Sequence, residues 1–264
     1  MRIVSLVPSL TKTVCDFGLQ KNMVGCTNYC IDPPNLNRTS ARIGGTKDPN
    51  IEAIFSLAPT HVLVNEEENK PSDIAILQSR FNVLNTFPKS PSDVPDLLIK
   101  MGDFLACPEI GRQRAAVLQK ALAELGANPH VFKSLGRRFA YLIWRDPWMA
   151  VSEDTYISRF LELFGMENVV KSDARYPVVE PKELASLTPD VLLMSSEPWP
   201  FRKRDAGAWR EMVGDTAAKI YWIDGKVMSW YGATTLMAIE EICKAKQNTK
   251  SDEKQIAKKI VRRM

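Results

Sequence analysis

The chain has 264 residues, 45% of them hydrophobic and 25% charged, the balance of a globular protein able to bury an ample core as one large domain or two small lobes. The net charge of +4 is concentrated in residues 244–264, where eight basic and two acidic residues leave the remainder of the chain slightly acidic. That distribution argues against a nucleic-acid partner, and no apolar run approaches the roughly 20 residues that span a bilayer.

In chain order, residues 3–7, 24–27, 61–64 and 82–84 read as short apolar strands, and residues 10–18, 51–57 and 72–80 carry helical patterns. Pro33-Pro34, Gly44-Gly45, Pro59 and Pro88 punctuate the joins. Strands separated by helices predict a parallel sheet of βαβ units. Residues 92–126 lack any strand signal and predict helix broken around Cys107-Pro108, with an apolar stripe over 109–125 and Gly126 as its C-cap. The α/β pattern resumes with strands at 138–144, 191–194 and 219–223 and helices at 155–164 and 234–246. The expected organisation is therefore an N-terminal α/β lobe (1–106), a connecting helix (107–128), a C-terminal α/β lobe (129–246) and a basic tail (247–264) ending as a solvated helix.

The two halves echo each other. Ser56-Leu57-Ala58-Pro59 precedes the strand at 61–64, Ser186-Leu187-Thr188-Pro189 precedes the strand at 191–194, and Phe17-Gly18 pairs with Phe164-Gly165. Two similar lobes bind ligand in the cleft between them, and the carboxyl ends of their strands face it. Glu67 follows one strand and Glu197 its equivalent, so each is a candidate ligand contact. All six tryptophans lie in the second half. Trp144, Arg145 and Trp148 sit around one strand end, Trp199 in the loop with Glu197, and Trp230 with Tyr231 before a helix. Large rings on Pro-rich loops suit a flat, partly apolar ligand. Trp222, inside a strand, is expected in the core, and Trp209 in helix packing.

Signatures of catalysis do not emerge: there is no Gly-x-Ser-x-Gly elbow, phosphate-binding loop or His-Glu-x-x-His. His61 and His130 are too far apart for a metal site and read as structural, and Cys26 and Cys30, four apart, lack partner ligands. The reading is of a binding protein with no intrinsic cofactor or metal, and a paired-carboxylate hydrolase on Glu67 and Glu197 is the one enzymatic alternative. Met1-Arg2 leads straight into a strand too short for a signal peptide's apolar core. Two expectations follow: a cytoplasmic protein with reduced thiols, or the mature form of a periplasmic or cell-surface one.

These segments resemble a known family. Arg2-Ile3-Val4-Ser5-Leu6-Val7-Pro8-Ser9 is similar to the opening of helical-backbone substrate-binding proteins, the cobalamin-, heme- and ferric-siderophore-binding components of ABC importers. Val24-Gly25-Cys26-Thr27-Asn28-Tyr29-Cys30, Gly44-Gly45-Thr46-Lys47-Asp48-Pro49-Asn50-Ile51-Glu52 and Ser229-Trp230-Tyr231-Gly232 look like its cobalamin-binding branch, and the match runs over residues 2–245. The resemblance implies two α/β lobes with central parallel sheets joined by a long rigid helix. It implies Tyr29, Trp148 and Trp230 as rings against a corrinoid. Family tryptophans fall at Thr46, Asn65 and Val178 here, and an acidic residue at Ser229. Glu52 matches a glutamate that docks on the permease; the second such position holds Lys182, with Glu183 adjacent. A monomeric corrinoid-binding component of an ABC importer is thus expected, with a cytoplasmic metal-chelate binder uncoupled to a permease as the alternative.

Overall fold

A computed structural model describes residues 1–38, 40–126, 135–214, 217–247 and 260–264. The chain forms two compact units: Met1–Pro88 with Ser92–Gln119 and Trp230–Leu236, and Lys89–Pro91 with Lys120–Ser229 and Met237–Met264.

The first unit is built on a five-stranded sheet, β1 (Ile3–Ser5), β2 (Met23–Cys26), β3 (Ala41–Arg42), β4 (His61–Asn65) and β5 (Asn82–Thr86), in the order β3-β2-β1-β4-β5 and parallel throughout. Helices α1 (Pro8–Asp16), α2 (Ile51–Ser56) and α3 (Pro71–Gln78) make the crossovers. Proline opens α1 and α3, where its missing amide costs no helical bond. Val4, Ile43, Ile54, Val62, Ile74 and Leu77 form one buried cluster. Runs buried on both faces explain why β1 and β4 read as continuous apolar strings without alternation. Helices α4 (Val94–Phe104) and α5 (Pro108–Gly126) follow, and the division between the units falls within α5, the helix expected to connect them.

The second unit carries β6 (Arg138–Trp144), β7 (Met149–Ala150), α6 (Tyr156–Glu162), β8 (Glu167–Asn168), α7 (Pro181–Ser186), β9 (Val191–Ser195), α8 (Lys203–Val213), β10 (Lys219–Ile223), α9 (Gly225–Ser229), α10 (Ala233–Gln247) and β11 (Val261–Arg263). Its sheet runs β11-β10-β9-β6-β7, with β8 beside β6. The centre is parallel, as expected of a central parallel sheet, and the edges β7 and β11 add antiparallel strands to it. Strand β11 corrects the solvated-tail reading: Val261 and its neighbours add an edge to β10, and the Arg262 guanidinium lies 5.0 Å from the Trp222 ring centroid. Trp222 is accordingly half-buried beneath an arginine and outside the core. His130 and residues 248–259 lie outside the described residues.

The echoed turns share one device. Ala58 and Thr188 both take left-handed backbone, with φ of 43° and 50°. The Arg2 guanidinium donates to the carbonyls of Leu57 and Ala58, and that of Arg138 to those of Leu187 and Thr188. An arginine just before β1 and another at the start of β6 thus satisfy carbonyls left over at a helix end in each unit. Gly18 and Gly165, at φ of 79° and 77°, close α1 and α6 alike.

Candidate functional site

Each unit presents its loops at the carboxyl ends of its strands. In the first, Tyr29 crowns the turn after β2, closed by the Cys30 N–H donating to the Thr27 carbonyl at 3.2 Å. The residue is 60% exposed, leaving its ring open to solvent. Gly45 lies beneath: a Cβ there would stand in ordinary contact with the Tyr29 ring at 3.5 Å but only 2.1 Å from Asp48 Oδ1, so the Asp48 side chain would have to shift. The Lys47 ammonium donates to the Glu67 carbonyl at 2.7 Å, linking the Gly45 loop to the loop after β4.

That second loop rests on two buried asparagines. Asn65 Oδ1 accepts from the N–H groups of Glu67 (2.8 Å) and Glu68 (3.0 Å), while its amide donates to the Thr86 carbonyl. Asn69 Oδ1 accepts from Asn65 N–H at 2.8 Å, and its amide reaches the carbonyls of Thr46 (2.9 Å) and, more weakly, Leu6 (3.5 Å). Local Asx bonding of this kind replaces ladder bonds where a strand ends. Glu67 is half-buried over this scaffold. Sequence reasoning singled out the glutamates and missed the asparagines that hold them; the Asn-x-x-x-Asn bracket around Glu66-Glu67-Glu68 was the available signal.

Tyr231 and Trp230 belong to the first unit, which corrects their expected place in the second lobe. Both are buried, Trp230 at 9% exposure. The chain enters α10 through Gly232 (φ +90°), which presses on Thr13, and the Ala233 N–H donates to Thr13 Oγ1 at 3.1 Å. Burial pushes the Tyr231 phenol well above its ordinary value, nearby Glu68 adding to the shift, and its hydroxyl lies 3.5 Å from Thr86 Oγ1. Trp230 and Tyr231 thus pack this unit more than they present open rings.

In the second unit, the β6–β7 turn gathers Trp144, Arg145 and Trp148. Trp144 is 37% exposed and meets the half-buried Trp199 edge to face at 5.4 Å. Trp148 is otherwise: only 8% exposed, it stacks on Phe201 at 5.9 Å and meets Trp209 edge-on at 5.2 Å. The expectation of Trp148 as an open ligand ring is therefore corrected. The turn, with Asp146 in left-handed backbone at φ 62°, folds the ring back onto the core of Leu142, Met194 and Ala206. Trp209 packs from α8 as expected. Arg145 lies over Trp148 and pairs with Asp205, whose carboxylate is fully buried and accepts from Arg202 N–H to cap α8.

Glu197 stands on a third polar cluster. Ser195 Oγ donates to the Glu197 carbonyl at 2.6 Å and pairs with the Tyr141 hydroxyl at 3.0 Å. Burial holds the Tyr141 phenol above its ordinary range. Gly225 permits the arrangement, since a Cβ there would lie 2.6 Å from Glu197 Cγ. Glu52 and Glu183 are both exposed in the first turns of α2 and α7, the equivalent helices of the two units. His61 opens β4 against the Phe104 ring at 5.0 Å and bonds Thr60, a structural setting.

Among the described residues no cluster of His, Cys, Asp or Glu could hold a metal ion, and no helix is long and apolar enough to cross a membrane. A hollow of about 750 Å³ lies at the opposite end of the second sheet, lined by Gly136, Arg138, Thr188, Asp190 and Lys219. None of the second unit's rings described above lines it.

Comparison with known proteins agrees with this architecture. The vitamin B12-binding protein of Vibrio cholerae is 23% identical over 248 residues, covering 92% of this chain and 87% of its own. An uncharacterized ABC transporter substrate-binding lipoprotein of Bacillus subtilis is 21% identical over 252 residues, 92% of this chain and 79% of its own. The crystal structure of a periplasmic heme-binding protein from Pseudomonas aeruginosa shares the fold with a TM-score of 0.77 at 18% identity, covering 92% of this chain and 91% of that one. These relatives are binding proteins, so the paired-carboxylate hydrolase is set aside. A model of the periplasmic binding protein family matches residues 3–217, and the chain belongs to that family.

Proposed function

We propose that this chain is the substrate-binding component of an ABC importer and that its ligand is a corrinoid, a cobalamin-like metal chelate carried as cargo and not as a resident cofactor. The observation that carries the reading is Tyr29, a residue 60% exposed on a turn anchored from below by the Gly45 loop. An apolar face held open to solvent is stabilised when a flat ligand covers it. The exposed Trp144 with its partner Trp199 supplies a second aromatic surface, and Arg145, Glu67 and Glu197 supply polar contacts for side groups of the macrocycle. Trp148 packs in the cluster against which Trp199 rests, and Trp230 and Tyr231 are buried in the first unit. The names of the relatives, one for vitamin B12 and one for heme, support a tetrapyrrole-like ligand.

Glu52 and Glu183 are the proposed permease contacts, each an exposed carboxylate free of the packing that fixes the sheets. The importer reading implies a location outside the cytoplasmic membrane, and it is supported by one similar protein named periplasmic and another named a lipoprotein.

Titration with cobalamin, cobinamide, heme and a ferric siderophore, followed by calorimetry and tryptophan fluorescence, tests the ligand. Saturable binding of cobalamin or cobinamide with strong quenching is expected. Binding of heme alone would replace the corrinoid by a porphyrin, and binding of the siderophore alone would remove the macrocycle altogether.

A further inference from the structure

Capping α8 accounts for only one of the two oxygens of Asp205. Oδ2 accepts from the Arg202 N–H at 2.7 Å and closes the first turn of the helix. Oδ1 accepts from Arg145 Nη1, and Arg204 Nε stands 3.8 Å from the same oxygen. The carboxylate is fully buried. Capping alone does not call for a buried charge, which is costly to desolvate.

Arg145 is held from two directions, by Asp205 and by the Trp148 ring beneath its guanidinium. Among the described residues the guanidinium makes one hydrogen bond, through Nη1, and Nε is buried with no acceptor. Asp146 comes only to 3.8 Å of Nε, beyond hydrogen-bond distance, and its side chain is 79% exposed. Glu197, on the neighbouring loop, faces Ser229 Oγ at 3.5 Å. The Arg145 side chain is open over a quarter of its area, which leaves an approach from solvent. On the β6–β7 turn and the first turn of α8, Arg145, Arg202, Lys203 and Arg204 stand against Asp146 and Asp205, four positive charges to two negative. A donor without an acceptor, in a place with surplus positive charge, calls for an anion.

We propose that Arg145, set in place by Asp205, receives an acidic group of the ligand, so that the cargo is a macrocycle bearing a phosphodiester or a carboxylate. This rests on the macrocycle reading above and narrows it. The Nε–Nη2 edge of a guanidinium is a planar pair of donors matched to two oxygens of such a group. Stacking on Trp148 and pairing with Asp205 fix the group before the ligand arrives, so little order is lost on binding. Asp205 is a positioning residue that acts through Arg145.

The test compares ligands that differ in the acidic group: cobalamin with cobinamide, which lacks the phosphodiester, and heme with its dimethyl ester. Calorimetry on the parent protein is expected to show the acidic member of at least one pair bound about 10-fold or more tightly, as for a hydrogen bond to a charged group. Arg145→Gln abolishes that preference and leaves the affinity of the other member unchanged, which isolates the charge from the remaining differences within a pair. Arg145→Lys keeps the charge without the fork and retains part of the preference. Asp205→Asn lowers the preference in the parent and has no further effect on it in the Arg145→Gln background, a pattern that lost stability alone does not produce. Asp205→Glu, which keeps the charge and displaces the guanidinium, takes its place if the first variant does not fold. Equal affinities within both pairs, or a preference that survives Arg145→Gln, would overturn the inference and leave the macrocycle reading standing. A preference untouched by either Asp205 variant would overturn the positioning role. Binding of none of the four ligands would remove the inference and the macrocycle reading together.

Discussion

The guanidinium of Arg145 lies over the indole of Trp148, 5.4 Å from its centroid, while pairing with the buried Asp205 carboxylate. This makes Trp148 the roof of the second unit's core, held down by an ion pair that also caps α8. Trp148→Ala removes a large ring packed against Phe201 and Trp209. It is expected to lower stability by about 3–5 kcal/mol, the usual cost of truncating a buried aromatic. Urea unfolding measures this directly; a change under about 1 kcal/mol would show that the ring is not part of the core.

The open rings are expected to behave in the opposite way. Tyr29→Ala and Trp144→Ala remove exposed apolar surface, so the melting temperature should stay near that of the parent. Corrinoid affinity should fall by about 1–3 kcal/mol, or about 5- to 150-fold, for each. Calorimetric titration beside thermal melting separates the two effects. Unchanged affinity in both variants would remove the aromatic surfaces from the ligand site.

How much of this was readable beforehand depended on the range of the interactions. The strand at 138–144 and the helix at 108–126 were legible because every residue of those segments contributes to one periodic pattern. The Ser-Leu-Ala-Pro echo was legible too, and it marks a real structural repeat, because Arg2 and Arg138 impose the same end on the preceding helices. Trp148 was misplaced because its burial is decided by Phe201 and Trp209, more than fifty residues onward. Strand β11 was missed for the same reason: three residues after a charged stretch carry no local pattern, and only pairing with β10 makes them a strand.

A pH dependence follows from Asp190. Its carboxylate accepts from the N–H groups of Arg137 and Arg138, both at 2.8 Å, and these bonds lower its pKa below the ordinary value of 3.8. A depressed folded-state pKa means stability that is full above the unfolded value and is lost as pH falls through the folded one. The loss therefore begins below about pH 3.8 and is modest, because the group is largely exposed to solvent. Asp190→Asn is expected to be less stable at neutral pH and to show a flatter acid limb in urea midpoints measured from pH 2 to 6. Parallel limbs for the two proteins would remove Asp190 from the acid response.

Asn65 and Asn69 bond reciprocally, Asn65 N–H to the Asn69 side chain and Asn69 N–H to the Asn65 carbonyl. Through Thr46 the same side chain ties the Gly45 loop beneath Tyr29 to the loop of Glu67. Asn69→Ala leaves the Asn65 N–H and the Thr46 carbonyl without this partner. A buried group so stranded costs about 1–3 kcal/mol, and that loss should appear in urea unfolding. Local opening should be larger than the global loss alone accounts for, because the Glu67 and Glu68 N–H groups depend on the orientation of Asn65. Hydrogen exchange at those two amides is therefore expected to quicken, while the amides of β1 change only in step with global stability. Unaltered exchange at Glu67 and Glu68 would mean that Asn65 orients the loop without Asn69.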